Sequence, residues 1–357
     1  MYPWQKSAVL EILDNCLVDN RNLGAVASDY FKSHKKLGKR DRQNILENAY
    51  LIARNALFSK DRWHDILEGT IDVESFDLNS AYSSEFLDHI EESAKETQLN
   101  ALNEPKNAFI RVDSSDLEKA KSIILGNEFS SDFEFVSTYT VKVQGKGLRY
   151  LNRERENLSF KFEFQDFGSQ SIIDCALSLT TSEVSQALDY CAGNGGKTLQ
   201  LVDRFNLESC HSCDIHSWKL ENLKYRARYH DVSSRIETFV LPSEEQKLRQ
   251  EYDFVLLDVP CSGTGTWGRE PIQRAFWSVE KQLELESIQS SILIKGSKKV
   301  KSKGYLCYST CSILDTENID QVNRFLGQND DFELVKNEII NPDNGHDGFF
   351  WALLKRS

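Results

Sequence analysis

Two cysteines and an aspartate follow directly behind apolar runs that are typical of buried strands. Asp258 and Cys261 come after the run 252–257, and Cys311 comes after the run 305–310. The carboxyl ends of neighbouring parallel strands meet at one edge of a sheet, so we expect these three side chains to lie close together. A free thiol has a pKa near ~8.5 and needs a base or a suitable environment to become a strong nucleophile. The pattern therefore predicts a site for thiol chemistry.

Two thiols and a carboxylate suit one reaction closely. Carbon-5 of cytosine is a poor nucleophile and becomes a good one only after another group adds at carbon-6. A thiolate can add there and leave again, and a neighbouring carboxylate can favour the addition by hydrogen bonding to the pyrimidine edge. A base that reacts in this way must first leave its stack. The residues thus indicate modification of a base through a covalent adduct.

A glycine-rich turn follows another apolar run and precedes a helical pattern. Glycine lets the backbone approach a ligand closely, and open α/β sheets bind ligands beyond the carboxyl ends of their strands. A P-loop needs glycine where Cys191 stands, and a dinucleotide fingerprint that starts at Gly193 needs glycine or alanine at Thr198. S-adenosylmethionine remains as the ligand, with Asp214 at the end of the next strand as the partner of the ribose hydroxyls. The turn comprises Cys191, Ala192, Gly193, Asn194, Gly195, Gly196 and Lys197.

The order of elements predicts an α/β protein. From residue 169 onward strand-like and helical patterns alternate, which indicates parallel βαβ units and a doubly wound sheet. We predict a helical, RNA-binding-like domain over 1–67, a connecting region over 68–105, a small α/β unit that resembles an RNA-recognition motif over 106–164, and a catalytic domain over 165–357. The predicted strands of the catalytic domain are 187–191, 209–215, 236–241, 254–260 and 305–310.

Charge and composition restrict the partners. The net charge of −12 argues against general binding to nucleic acid, so any contact with RNA must be local. The start of the chain lacks the pattern of a signal peptide, and no apolar run is long enough to span a bilayer, so we expect a cytoplasmic monomer with reduced thiols. Three basic patches could contact RNA: Lys32, Lys35, Lys36, Lys39, Arg40 and Arg42; Lys142, Lys146, Arg149, Arg153 and Arg155; and Lys295, Lys298, Lys299, Lys301 and Lys303.

In these motifs the sequence resembles the RNA cytosine-5 methyltransferases of the bacterial Sun/RsmB and eukaryotic Nop2/NSUN type, most of all the bacterial Sun-like enzymes of ribosomal RNA. The resemblance extends from about residue 164 to 354 and includes Asp258-Val259-Pro260-Cys261 and Thr310-Cys311-Ser312. It implies a Rossmann-like methyltransferase domain that binds S-adenosylmethionine and methylates RNA, with ribosomal RNA favoured and transfer RNA second.

The resemblance also implies a role for each site residue. Cys311 corresponds to the nucleophile that attacks carbon-6, and Cys261 to the cysteine that assists release of the product. Asp258 would lie between cofactor and base, with Lys197 orienting it. The glycine turn, Cys191 to Lys197, would line the methionine part of the cofactor, and Asp214 would bind its ribose. The helical N-terminal region is similar to the RNA-binding extension of the Sun-type members.

Two departures from the family pattern keep an alternative open. Asn194 replaces the usual proline of the glycine turn, which removes a restraint on φ. The third strand usually ends in an aspartate that contacts adenine, whereas 239–243 contains none. An RNA-binding ribosome-assembly factor with a weak or inactive methyltransferase fold is therefore the second hypothesis. A methyltransferase acting on an exocyclic nitrogen would need an Asn/Asp-Pro-Pro-aromatic motif, which Asp258 to Cys261 does not supply.

Other conspicuous residues favour structural roles. Cys210 and Cys213 have the spacing of half a zinc site, but no second pair is evident, so we expect no metal. Trp267 and Trp277 could stack on RNA bases, although large aromatic residues more often lie in a core. His346 receives no assignment.

Overall fold

The chain forms two units in the computed structural model, which describes residues 1–70, 81–88, 90, 95–343 and 345–357. One unit comprises Met1–Pro105, Ser262–Glu284 and Asn341–Asp343. The other comprises Lys106–Cys261, Leu285–Ile340 and Asn344–Ser357. Part of the predicted connecting region, 71–80 above all, lies outside the described residues, and the boundaries of the four predicted domains stay predictions.

The first unit is built on amphipathic helices, as the apolar spacing predicts. Ile45, Ala49 and Ile52 recur at three- and four-residue steps and are fully buried. Asn22 caps the second helix by accepting a hydrogen bond from the backbone N–H of Ala25 at 2.8 Å. The helices are α1 (Pro3–Asp19), α2 (Leu23–Ser33), α3 (Lys39–Asn55), α4 (Lys60–Glu68), α5 (Ser84–Leu87) and α6 (Lys95–Asn103).

The second unit begins with a small antiparallel sheet in the order β2-β3-β1-β4. Alternate residues of its strands, Ile110, Val112, Val141 and Val143, are buried in one apolar cluster beneath two helices. The elements are β1 (Ala108–Val112), α7 (Leu117–Leu125), β2 (Phe133–Phe135), β3 (Thr140–Val143), α8 (Gly145–Glu154) and β4 (Phe162–Phe164).

A seven-stranded sheet in the order β10-β11-β9-β8-β5-β6-β7 follows and confirms the predicted fold class. The five strands β5 to β9 are parallel, whereas β10 and β11 are antiparallel at one edge, where the sequence pattern did not predict strands. The elements are α9 (Phe167–Leu179), β5 (Gln186–Asp189), α10 (Gly196–Arg204), β6 (Ser209–Asp214), α11 (Ser217–Tyr229), β7 (Ile236–Val240), β8 (Tyr252–Asp258), α12 (Val279–Ser297), β9 (Val300–Thr310), α13 (Ile319–Leu326), β10 (Phe332–Ile340) and β11 (Phe349–Arg356).

A buried histidine joins the end of α11 to the small sheet of the second unit. His230 follows α11, and its ring nitrogens contact Asp113 Oδ2 at 2.5 Å and Glu163 Oε1 at 2.9 Å. Burial acts to lower the pKa of His230, but the two carboxylates outweigh it, so the pKa is raised. The position at the carboxyl end of a helix also favours the imidazolium form. When it is charged, His230 stabilises the packing of β1 and β4 against α11.

We predict that this stabilisation depends on pH. A raised pKa in the folded state means that the contribution is complete below the unfolded value of ~6.5 and is lost as pH rises through the folded value. Replacing His230→Gln should lower the free energy of unfolding by roughly 3 kcal/mol at pH 5.5, because two buried carboxylates lose a charged partner, and by less at pH 8.5. Urea unfolding at both values measures this, with the exposed His216→Gln as control. A difference that grew with pH would contradict the assignment.

Candidate active site

The two cysteines lie together at the carboxyl ends of adjacent strands. Strands β8 and β9 are parallel with Asp258 opposite Ser309, so Cys261 and Cys311 leave the sheet side by side. Their Sγ atoms are 3.3 Å apart, and the backbone N–H of Cys311 donates to Cys261 Sγ at 3.3 Å. Both side chains are half-buried. The predicted meeting of the strand ends is thus confirmed for the thiol pair.

Buried polar side chains hold the turn that carries Cys311. The hydroxyl of Thr310 donates to Asn318 Oδ1, and Asn318 Nδ2 donates to the carbonyl of Ser312 at 2.9 Å. The N–H of Ser312 donates in turn to Thr310 Oγ1 at 3.2 Å. Because Thr310, Ser312 and Asn318 are all fully buried, these hydrogen bonds are shielded from water and fix the backbone on both sides of the thiol.

The turn before Cys261 is fixed in a similar way. The N–H of Val259 donates to the carbonyl of Ser309 at 3.0 Å. Gln289 on α12 donates through Nε2 to the carbonyl of Pro260 at 3.0 Å and to Glu317 Oε1 at 3.0 Å. Both thiols are therefore positioned by hydrogen bonds to their neighbours in the chain.

Asp258 is held by a lysine from the glycine turn. Lys197 Nζ lies 2.8 Å from Asp258 Oδ2, and Ser309 Oγ donates to Asp258 Oδ1 at 3.0 Å. Burial acts to lower the pKa of Lys197, but the charge of Asp258 and its hydrogen bond outweigh burial and raise it. The lysine is thus held charged although its side chain is only 10% exposed. The ring of Phe349 lies 5.5 Å from the ammonium group.

The glycine turn has the backbone conformation that its sequence predicts. Gly193 and Gly195 have φ values of 53° and 85°, in the left-handed region that side chains disfavour. A Cβ at Gly195 would lie 2.2 Å from a methyl group of Leu223, so only glycine fits against α11. A Cβ at Gly193 would meet no atom within 4 Å, so the other side of the turn is open. The N–H of Gly193 donates to Asp214 Oδ2 at 3.0 Å.

These features fit a ligand with a ribose and an amino acid part. Asp214 is buried at the end of β6 and also accepts from the N–H of His216 at 2.8 Å, so its carboxylate is fixed in place. Beneath the turn, Asp189 accepts from Thr198 Oγ1 at 2.6 Å, whereas its second oxygen has no hydrogen-bond partner in the structure. Burial raises the pKa of Asp189 to about 7. Asp214 is thus the fixed hydrogen-bond acceptor beside the open side of Gly193.

The predicted residues occupy two neighbouring groups. Cys311, Cys261 and Asp258 surround the carboxyl ends of β8 and β9, and Lys197 joins them to the turn. Asp214 lies at the other side of the turn with Gly193. Ala192 has a backbone role in the turn, because its N–H donates to the carbonyl of Cys213 at 2.7 Å. Burial raises the pKa of the Cys191 thiol well above its usual value. Cys191 is thus a protonated neighbour of the site.

Sequence reasoning missed several residues that shape the site. Asp189 could have been found as an acidic residue that ends an apolar strand. Ser309 could have been found from its place opposite Asp258. The contacts of Asn222 and Arg226 with the glycine turn have no local sequence signal, because both residues lie on α11, about 30 positions further along the chain.

The strand that follows α11 ends without the usual carboxylate, as its sequence indicates. The peptide bond between Leu241 and Pro242 is cis. The nearby Glu244 accepts from the N–H of Val240 at 2.8 Å and from Lys247, so its carboxylate serves its own turn. The departure seen in the sequence therefore remains in the fold.

Other residues from the sequence analysis have structural places. Cys210 and Cys213 are buried thiols in β6, and the described residues contain no group of side chains suited to a metal ion. Trp267 and Trp277 are buried, and their ring centroids lie 4.5 and 5.2 Å from that of Phe86. No helix in the described part of the chain is long and apolar enough to cross a bilayer. Contact of the three basic patches with RNA stays a prediction.

Comparisons with known proteins identify the family and the fold. The chain is 30% identical over 201 residues to ribosomal RNA small subunit methyltransferase B of Photorhabdus laumondii, which covers 54% of this chain and 46% of that protein. It thus spans about half the length of the curated relatives it matches. The crystal structure of PH0851 superposes with a TM-score of 0.77 over 100% of this chain and 99% of the other at 18% identity, which supports the fold.

A further fold match is NSun6 from Pyrococcus horikoshii with SFG, at a TM-score of 0.63 and 14% identity over 78% of this chain and 99% of the other. The family described as 16S rRNA methyltransferase RsmB/F matches residues 176–355, about half of the chain. That range contains the glycine turn, Asp214, Asp258 and both cysteines. The chain therefore belongs to the RsmB/F family of 16S rRNA methyltransferases.

Proposed function

We propose that this protein transfers a methyl group from S-adenosylmethionine to carbon-5 of a cytosine in RNA. The observation that carries the proposal is the pair of thiols, Cys261 and Cys311, 3.3 Å apart beside a fixed carboxylate. The names of the curated relatives support ribosomal RNA as the substrate. Methyl transfer to an exocyclic nitrogen needs no thiol, so the pair favours carbon-5.

The glycine turn and its surroundings would hold the cofactor. Asp214 is placed to accept from ribose hydroxyls, and the open side of Gly193 admits a ligand against the backbone. The neighbour NSun6 carries SFG, an analogue of S-adenosylmethionine, in the same fold. Once bound, S-adenosylmethionine supplies an electrophilic methyl group.

Cys311 would begin the reaction. Its thiolate adds to carbon-6 of the cytosine, and the electron pair of the 5,6 double bond makes carbon-5 nucleophilic. Asp258, fixed by Lys197 and Ser309, would accept a hydrogen bond from the exocyclic amino group of the cytosine and so orient the ring for attack. Carbon-5 would then take up the methyl group as the bond between methyl carbon and sulfur breaks, which leaves S-adenosylhomocysteine.

Cys261 would complete the reaction. Its sulfur lies 3.3 Å from that of Cys311, close enough to act on the same ring. Removal of the proton from carbon-5 re-forms the 5,6 double bond, and the bond between Cys311 and carbon-6 breaks to release the thiolate. The sulfur of Cys261 would be the base that takes the proton from carbon-5, because without a base the adduct is stable. Cys261 would therefore govern release rather than attack.

We predict that the two cysteines differ in what they trap. After incubation with cofactor and cellular RNA, Cys261→Ala should accumulate a denaturation-resistant complex with RNA, because attack proceeds and release fails. Cys311→Ala should form none. Denaturing gel electrophoresis with labelled RNA measures both, and sequencing of the captured RNA identifies the substrate. Cys175→Ala, a half-buried thiol outside the site, is the matched control. Equal adduct from Cys311→Ala and Cys261→Ala would contradict the assignment.

A second function is favoured by one observation. The carboxylate that usually ends the third strand is absent after β7, and Glu244 is engaged in its own turn. A protein that binds RNA and assists ribosome assembly without methylating it could tolerate this loss. Affinity for the cofactor separates the two functions.

We predict that the wild-type protein binds S-adenosylmethionine and that Asp214→Asn weakens this binding roughly 10- to 100-fold, because the amide replaces a charged acceptor. Isothermal titration calorimetry measures the affinity. Glu221→Gln, an exposed change on the following helix, should leave it unaltered. Absence of binding by the wild type would favour the RNA-binding function instead.

A further inference from the structure

The glycine turn contains no proline, so no ring restrains φ within it. Asn194 lies between Gly193 and Gly195, whose φ values of 53° and 85° are both left-handed. Glycine has the largest conformational freedom of any residue, and asparagine adds no ring to limit φ. The turn therefore needs contacts from elsewhere in the protein to keep one conformation.

Helix α11 supplies these contacts from one face. Asn222 Nδ2 donates to Asn194 Oδ1 at 3.0 Å, and the guanidinium of Arg226 donates to the carbonyl of Asn194. Between them, Leu223 packs directly against Gly195. The side chain and the backbone of Asn194 are thus both held by residues spaced four positions apart, which lie on the same side of a helix.

A buried carboxylate orients Arg226. Glu163 on β4 receives two hydrogen bonds from the guanidinium, Nε to Oε1 at 3.1 Å and Nη2 to Oε2 at 2.8 Å. Its side chain is 4% exposed and also contacts Arg155 and His230. Burial acts to raise the pKa of Glu163, but these partners outweigh it and hold the pKa well below its usual value. The carboxylate is therefore a permanent anchor for one edge of the guanidinium, which leaves Nη1 directed at Asn194.

We propose that Arg226 is a positioning residue for the cofactor. Glu163 orients Arg226, and Arg226 holds the glycine turn in its binding conformation. The inference rests on the proposed function. The guanidinium suits this role because its rigid fork serves two partners at once, whereas an ammonium group is a single point of charge. The small α/β unit, to which Glu163 belongs, thereby supports the cofactor site. Preorganisation of the turn spares the ligand the cost of ordering it.

The test compares binding of S-adenosylhomocysteine by calorimetry. Arg226→Lys retains the charge beside Glu163 but loses the fork, so affinity should fall about tenfold. The KM for S-adenosylmethionine should rise by a similar factor, while kcat at saturating cofactor stays within about twofold. Arg228→Gln, an exposed change two residues away, is the matched control and should bind as the wild type does. Asn222→Ala, which does not disturb Glu163, should weaken binding about twofold to threefold.

A second substitution ties the effect to the turn. Adding Asn194→Pro to Arg226→Lys should restore affinity to within about threefold of the wild type, because the proline ring restrains φ of the turn. Failure of this rescue would overturn the proposal, since Arg226 would then act by another route. The proposal would also be overturned if Arg226→Lys bound S-adenosylhomocysteine as tightly as the wild type does. If the wild type itself did not bind S-adenosylhomocysteine, the proposed function would fail and this inference with it, which distinguishes the two failures.

Discussion

The ion pair between Lys197 and Asp258 is the interaction on which the site depends. Lys197 lies in the first turn of α10, and Asp258 ends the strand that leads to Cys261, so the pair joins the proposed cofactor side of the candidate site to the thiol side. Ser309 adds the next strand through a hydrogen bond of 3.0 Å. A largely buried lysine without its counter-ion is strongly destabilising. Each member therefore fixes the other, and the parallel register of the strands places both thiols beside them.

The amino-acid sequence is sufficient to predict the edge of the sheet where the chemistry lies. Buried parallel strands have continuous apolar runs, and the residues that follow them must meet at one edge. This reasoning groups Cys261 with Cys311 and assigns Asp214 to the end of its strand, where the fold has them. The glycine turn is also predictable, because positions with positive φ favour glycine and the sequence has Gly193 and Gly195 there.

Contacts between distant segments could not be predicted in this way. Glu163 and Arg226 are separated by 63 positions, and each taken alone is an ordinary charged residue. The segment Ser262–Glu284 groups with the N-terminal helices, although its place in the sequence suggests a loop of the catalytic domain. Strand β10 escaped prediction because its residues are mostly exposed or half-buried and lack strict alternation. Such features depend on which surfaces meet, and apolar periodicity does not specify partners.

The most direct test of the account identifies the methylated nucleoside. The protein is incubated with RNA and S-adenosylmethionine that carries an isotopic label in its methyl group, and the RNA is digested to nucleosides for chromatography and mass spectrometry. The account predicts label in 5-methylcytidine with the wild type and none with Cys311→Ala. Label in another nucleoside, such as N4-methylcytidine, or 5-methylcytidine formed by Cys311→Ala, would contradict the thiol mechanism at its centre.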